Sequence, residues 1–582
     1  MSGRFGIHLG AEDQARLDAV IEHARRDRWA ERLMDRDTSL WSDDPAVRAG
    51  IAERLGWLDA PEHFTLEIPA IEGFGDGIRV AGFTTAVVMG MGGSSLAPDV
   101  LHRIFGSADG YPDLRILDST DPAAVAAAVD DLDALQTLWI VASKSGTTTE
   151  PLAFMADAWA RVEAALEAAG SDQRPGEFFV AITDPGSSLR AIPHHEELRE
   201  RFLNPPDLGG RYSALTYVGL VPASLIGLDL DSLLSSATAM LAACREPDPG
   251  SNPGLLLGLA LGSLARGGRD KVTFLTEPAL APFGAWAEQL LAESTGKHGT
   301  GIVPVDREPP AAVGDYGADR VFVALSVADG AGGGGSGTEA RDQNRLLEAL
   351  QARGHAVIRI EFDDLIDVAG EMLCWEVATA FAGAVLGIDA FDQPNVEEAK
   401  NLTRQVLAAA GRSDAAIEPA AGAATTPPDG RLNVADLGED GLTAALRPHL
   451  RGLGPPTYVA IQAFIAPSDA ADAALDTIRS GIVDHRGCAT TAGYGPRFLH
   501  STGQLHKGGP PTGWFLQLTS DHPADRPIPG WPYTFGQLID AQAHGDRQAI
   551  AAHDRPIVHV HLGPDVVADL GILERAVLQA LR

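Results

Sequence analysis

Short runs of continuous apolar residues alternate with amphipathic stretches along most of the chain, and this rhythm predicts the architecture. Residues 11–37 carry Leu17, Val20, Ile21 and Ala24, with Leu33 later, at helical spacing on a charged background. Residues 1–80 are therefore expected to be a helical preface. TTAVVMG (84–90), TLWIVAS (137–143) and FFVAITD (178–184) then read as buried strands, the first two followed by polar loops and helices. KVTFLTE (271–277), RVFVALSV (320–327) and AVIRIEF (356–362) form a second set, with helices predicted over FGAWAEQLLAE (283–293) and EMLCWEVATAFAGAVLG (371–387). Strands alternating with helices imply parallel sheets whose loops at the strand C-termini form the site.

This divides the chain into the preface (1–80), two α/β units (81–245 and 246–417), and a C-terminal α/β region (432–582). That last region has strands TYVAIQAFI (457–465), WFLQLT (514–519) and PIVHVHLG (556–563). EPAAGAATTPPDGR (418–431) reads as the linker before it, and GAGGGGSG (330–337) as a flexible loop. No short-period repeat is visible; the first two units read as related sheets.

The 582 residues need more than one core, and 45% hydrophobic content supplies them. A formal charge of −34 lacks the basic footprint of a protein that binds nucleic acid or an anionic membrane. An anionic metabolite must then be met locally, by a few cations and backbone N–H groups. Cys244, Cys374 and Cys488 show no metal-ligand spacing, and Cys374 reads as a buried structural thiol. No signal-peptide pattern and no run of eighteen apolar residues is present, so a soluble cytoplasmic protein is expected.

Two loops carry the first chemistry. Gly90-Met91-Gly92-Gly93-Ser94-Ser95 joins a strand to a helix, where glycines allow close backbone approach and helix N–H groups favour an anion. Ser143-Lys144-Ser145-Gly146-Thr147-Thr148-Thr149-Glu150 crowds five hydroxyls and one lysine into a single turn. An ordinary helix cap needs one hydroxyl; a phosphate uses several, with a cation nearby. There is no Walker lysine and no dinucleotide fingerprint, so the pair of loops points to a monophosphate.

These loops resemble the sugar isomerase (SIS) domain. The resemblance sharpens at Gly209-Gly210-Arg211-Tyr212-Ser213, at Glu293-Ser294-Thr295-Gly296-Lys297, and at Phe391-Asp392-Gln393-Pro394-Asn395-Val396-Glu397-Glu398-Ala399-Lys400. In this order, over residues 84–400, the motifs resemble the glucose-6-phosphate isomerase family. They are most similar to the isomerase half of bifunctional transaldolase/isomerases; the transaldolase half is not recognisable. The resemblance implies two SIS-type parallel-sheet domains with helices on both faces, a sugar phosphate substrate, no cofactor or metal, and a homodimer. It also implies a place in glycolysis and gluconeogenesis.

Site roles follow from it. Gly92, Gly93, Ser94, Ser143, Lys144, Ser145, Thr147, Thr148 and Gly210 would hold the substrate, and Gln289 its phosphate or chain. Arg211 would stabilise a cis-enediolate, as a fixed cation facing developing negative charge does. Glu293, four residues after Gln289 on one helix face, would move the proton between C2 and C1. Lys400 would contact the ring oxygen. Without the motifs, a structural ion pair, a solvated helix-end Glu and a surface Lys paired with Glu397 are the simpler readings. A dual glucose/mannose phosphate isomerase and a non-catalytic phosphosugar-binding protein remain the alternatives.

The family also uses a histidine to open the sugar ring. Between the Glu and Lys motifs the sequence offers His298 and His355, neither in glycine-rich company. His500-Ser501-Thr502-Gly503-Gln504-Leu505-His506-Lys507-Gly508-Gly509-Pro510, followed by a strand, looks like the family's ring-opening segment moved to the C-terminal region. His506 is the candidate expected from this, with His500 second, since His is the natural proton shuttle near neutral pH.

Overall fold

The structure, a computed structural model, describes residues 5–328, 337–410 and 430–582. The expected loop over 330–337 and linker over 418–431 fall mainly outside the described residues. Fifteen strands form three five-stranded sheets among the described residues. In chain order they are β1 (Phe5–His8), β2 (Thr85–Gly90), β3 (Asp113–Leu117), β4 (Thr137–Ala142), β5 (Phe179–Thr183), β6 (Glu200–Leu203), β7 (Lys271–Thr276), β8 (Val303–Val305), β9 (Arg320–Val327) and β10 (Ala356–Phe362). The last five are β11 (Leu432–Asn433), β12 (Tyr458–Phe464), β13 (Ala489–Tyr494), β14 (Gly513–Ser520) and β15 (Ile557–Leu562).

The first sheet runs β3-β2-β4-β5-β6 and the third β11-β15-β14-β12-β13, both parallel throughout. The second runs β1-β10-β9-β7-β8 and is parallel except at its edge. There β1 pairs antiparallel with β10, Phe5 opposite Ile360. The N-terminal segment is thus not purely helical: its four-residue strand closes a sheet edge, and its pattern is too short to register as a strand. Every strand expected from an apolar run is present. The unforeseen ones, β1, β3, β6, β8, β11 and β13, are short, polar or at edges.

One continuous apolar core serves the first two sheets, and a second core lies under the third. The expected buried helix is Val368–Leu386, and it packs against the Pro253–Arg266 helix. The approach is close: a Cβ on Gly258 would lie 2.3 Å from the Ala378 carbonyl oxygen. The segment Leu365–Leu386 is the one described helix long and apolar enough to cross a membrane, but it is 94% buried inside the protein. That burial marks it as a core helix. Cys244, Cys374 and Cys488 are all buried thiols.

Ionic contacts join the third sheet's unit to the first. Arg526 binds Asp157 bidentately, at 2.9 and 3.0 Å, and reaches Asp130 at 2.9 Å. Arg497 lies between Asp99 (2.6 Å) and Asp118 (3.2 Å), and Asp118 also accepts from Ser95 at 3.1 Å. Burial pushes the Asp118 carboxyl up, and Arg497 works against it. Replacing Arg497 by Met leaves the largely buried Asp118 without its cation and Asp99 with only the more distant Arg103, 3.9 Å away. The expected cost is about 3 kcal/mol, read as a lower denaturant midpoint, and an unchanged midpoint would remove Arg497 from the joint.

Candidate active site

The site lies where β2 and β4 end and three distant segments close on them. After β2 the chain enters a short 3₁₀ turn, Gly92–Ser94. A Cβ on Gly93 would lie 2.2 Å from the Gly210 carbonyl oxygen, and one on Gly92 only 2.4 Å from that of His500. Gly92 also has φ +53°, a conformation glycine adopts without strain. The glycines expected to admit a ligand also admit the protein's own backbone. Ser94 is half-buried beside them.

After β4, Ser143 donates to Thr148 (3.0 Å) while Ser145 and Thr147 share a 2.9 Å hydroxyl contact. Ser143 is buried; Ser145 and Thr147 are exposed at the start of the Thr149–Ala169 helix. Lys144 does not turn onto these hydroxyls. It is ion-paired with Asp184 and donates to the Pro206 carbonyl at 3.3 Å.

The Phe283–Thr295 helix brings Gln289 and Glu293 to one face. Gln289 Nε2 donates to Glu293 (3.1 Å) and to the His500 carbonyl (2.7 Å), and its buried Oε1 has no partner among the described residues. Arg211 is 3% exposed. It donates to Ser294 (2.6 Å), Gln393 (3.1 Å) and the carbonyls of Ala390 (2.7 Å) and Asp392 (2.9 Å), and pairs with Glu293 at 3.3 Å. The guanidinium is therefore locked in place beside the Glu293 carboxylate.

Lys297, a member of the Glu293 motif to which no role was assigned, holds the same 389–393 loop. It donates to the carbonyls of Asp389 (2.6 Å) and Asp392 (2.5 Å) and to the Asp392 carboxylate (2.6 Å). Burial and the neighbouring Arg211 push its ammonium down to about 8. That loop leads into the Val396–Ala410 helix carrying half-buried Lys400. The side chain of Glu397 lies outside the described residues.

The C-terminal segment does reach this site, but through a different histidine from the one expected. Gln504 donates to the Gly296 carbonyl (2.9 Å) and to Asn395 (2.8 Å), tying the Glu motif to the Lys motif. His506 sits on the far side of this short helix. It is 4% exposed, contacts Gln462 at 3.2 Å, and packs on Phe515, Phe498 and Tyr458. Burial, aided by Lys507, holds its imidazole well below the usual histidine range. It lines a separate cavity with Glu288 and Thr491. His500 instead ends the Arg497–His500 turn, anchored by Phe498 on Phe464 with ring centroids 5.2 Å apart. His500 Nε2 meets Glu150 at 3.1 Å. His298 is exposed, and His355 lies at the start of β10 against Phe322.

Glu150, a loop residue to which the motifs assign no role, is buried beside His500. Burial acts to raise its carboxyl, but His500 and then Lys400 outweigh that and hold it below the ordinary value. No three His, Cys, Asp or Glu side chains among the described residues are grouped to hold a metal ion.

An arginine-fixed carboxylate, a hydroxyl-rich anion loop and a histidine–glutamate pair, at the ends of parallel strands, define a site for acid–base chemistry on a small anion. Comparison with known proteins names the family. The phosphoglucose isomerase family model matches residues 30–308. The glucose-6-phosphate isomerase of Rubrobacter xylanophilus is 30% identical over 406 residues, 62% of this chain and 91% of that protein. The one from Symbiobacterium thermophilum is 34% identical, over 43% of this chain and 57% of its own length. A crystal structure of a hypothetical protein from Thermus thermophilus aligns with TM-score 0.57 and 26% identity, over 69% of this chain and all of its own. The chain belongs to the phosphoglucose isomerase family.

Because Gly93 touches Gly210 backbone to backbone, Gly93→Ala must spread these two loops. Turnover is expected to fall at least about tenfold with the circular dichroism spectrum retained; wild-type turnover would contradict this packing requirement.

Proposed function

We propose that the chain interconverts glucose 6-phosphate and fructose 6-phosphate, with the Arg211–Glu293–Gln289–His500 arrangement as its centre. The observation that carries the reading is the Gln289 amide, which joins the Glu293 carboxylate to the His500 turn. The phosphate sits on the hydroxyls of Ser145, Thr147 and Thr148 and nearby amides, with Ser143 bracing the turn. Gly92, Gly93, Ser94 and Gly210 wall the sugar. Lys144 reaches the phosphate by leaving its pair with Asp184.

Ring opening moves a proton from the anomeric hydroxyl to the ring oxygen. We assign this to His500 in place of His506: Nε2 is taken by Glu150, leaving Nδ1 for the sugar, and Lys400 steadies the ring oxygen. Glu293 then removes the C2 proton of the open aldose. The C–H electrons form the C1–C2 double bond, and the former carbonyl oxygen takes the negative charge beside Arg211. Glu293 returns the proton to C1 while the C2 hydroxyl passes its own proton to the C1 oxygen and becomes the ketone, leaving C1 as the CH₂OH of the ketose. Gln289 Oε1, buried with no partner among the described residues, accepts from a sugar hydroxyl in this reading. A homodimer and a cytoplasmic setting belong to this reading, the first open to light scattering.

Glu293→Gln keeps the shape but cannot carry a proton. Its turnover is expected to fall by about 10²-fold or more with sugar phosphate affinity nearly kept; near wild-type turnover would remove Glu293 from the proton path.

His500→Ala is expected to slow turnover of cyclic substrate far more than C2 proton exchange on an open-chain substrate, whereas His506→Ala should chiefly lower the melting temperature. The reverse pattern would restore His506 to the ring-opening role.

A further inference from the structure

The Phe535–Ala552 helix of the C-terminal unit carries a residue that enters none of the chemistry above yet ends on it. Gln542 is 2% exposed, and its Nε2 donates to Glu150 Oε1 at 2.7 Å, the same oxygen that His500 Nε2 meets at 3.1 Å. Its Oε1 accepts from the Thr120 hydroxyl at 2.7 Å, and Thr120 is fully buried. A terminal amide can present oxygen or nitrogen to a neighbour with little change of shape. Ionised Glu150 can only accept, which selects the –NH₂ toward it, and the Thr120 hydroxyl donates to Oε1 and satisfies the other end of the amide in that orientation.

The consequence passes through Glu150 to the histidine. A carboxylate oxygen with two N–H donors is favoured as the charged acceptor. A charged Glu150 requires the proton on His500 Nε2 and leaves the Nδ1 lone pair available. We infer that Gln542, oriented by Thr120, is a positioning residue that keeps Glu150 ionised and His500 in the tautomer that can open the sugar ring. This rests on the assignment of ring opening to His500. Gln542 touches no substrate in this arrangement. Among the described residues, the titratable groups that face Glu150 are His500, Lys400 and Tyr533.

The test is the pH profile of kcat and KM on cyclic glucose 6-phosphate for Gln542→Leu, Thr120→Val, Thr120→Ser and His500→Ala. Removing a donor from Glu150 makes its protonation easier, so the acid limb of kcat should move to higher pH. In Gln542→Leu, kcat should fall about 10- to 100-fold with KM within about threefold. Thr120→Val should shift both quantities in the same direction by less, and Thr120→Ser, which keeps the hydroxyl, should resemble wild type. A merely structural Gln542 would lower the melting temperature without moving the acid limb, and that outcome overturns the inference. If Gln542→Leu does not fold, Thr120→Val decides by the same limb. If His500→Ala slows turnover while neither the Gln542 nor the Thr120→Val variant does, the positioning role alone is overturned. If His500→Ala leaves turnover unchanged, the ring-opening assignment falls and the positioning role falls with it.

Discussion

Main-chain atoms at Gly92, Gly93, Gly210 and His500 meet with no room for a methyl group between them, and the rest of the site hangs on that contact. It brings three segments far apart in sequence to fixed separations set by backbone geometry. Backbone contacts of this kind cannot relax by changing rotamer, as side-chain contacts do. Gln289 reads the result directly, since its amide can reach both Glu293 and the His500 carbonyl only when the loops are seated. A second close approach repeats the device at Gly296, where a Cβ would lie 2.4 Å from Leu505 Cα.

Charge is handled by local pairing against an unfavourable background. The chain is strongly acidic, yet the site gathers Arg211, Lys297, Lys400 and Arg497 around Glu293, Asp392, Glu150, Asp99 and Asp118. Buried ions of this kind cost several kcal/mol each when unpaired, so the pairs fix which loop sits against which. Arg211 and Lys297 both end on the 389–393 loop, and that loop sets the start of the helix bearing Lys400. The arginine proposed to stabilise developing charge therefore also holds part of the site together.

Much of this was legible in the sequence for a physical reason. Central strands such as β2, β4 and β9 are buried on both faces and read as continuous apolar runs. Glycine-rich and hydroxyl-rich loops advertise themselves because few other residues suit a turn against an anion. Arg211, Glu293, Gln289 and Lys400 stood out through their motifs. The choice of histidine did not, because His500 ends the turn just before the short Gly503–Gly508 helix that contains His506, and the two side chains meet different partners. Only the packing of Phe498 and Phe515, and the position of Glu150 more than three hundred residues earlier, separates them. Thr120 and Gln542 had no sequence signal at all: each is a single polar residue whose partner is distant in the chain.

In the proposed function, the C-terminal turn ending in His500 completes the pocket built around Glu293. The most direct test is a crystal structure of the Glu293→Gln protein with fructose 6-phosphate bound. The phosphate is expected on Ser145, Thr147 and Thr148, with C1 and C2 beside residue 293 and His500 Nδ1 within one hydrogen bond of the ring oxygen. A sugar bound there with His506, or no histidine, at its ring oxygen would contradict this arrangement.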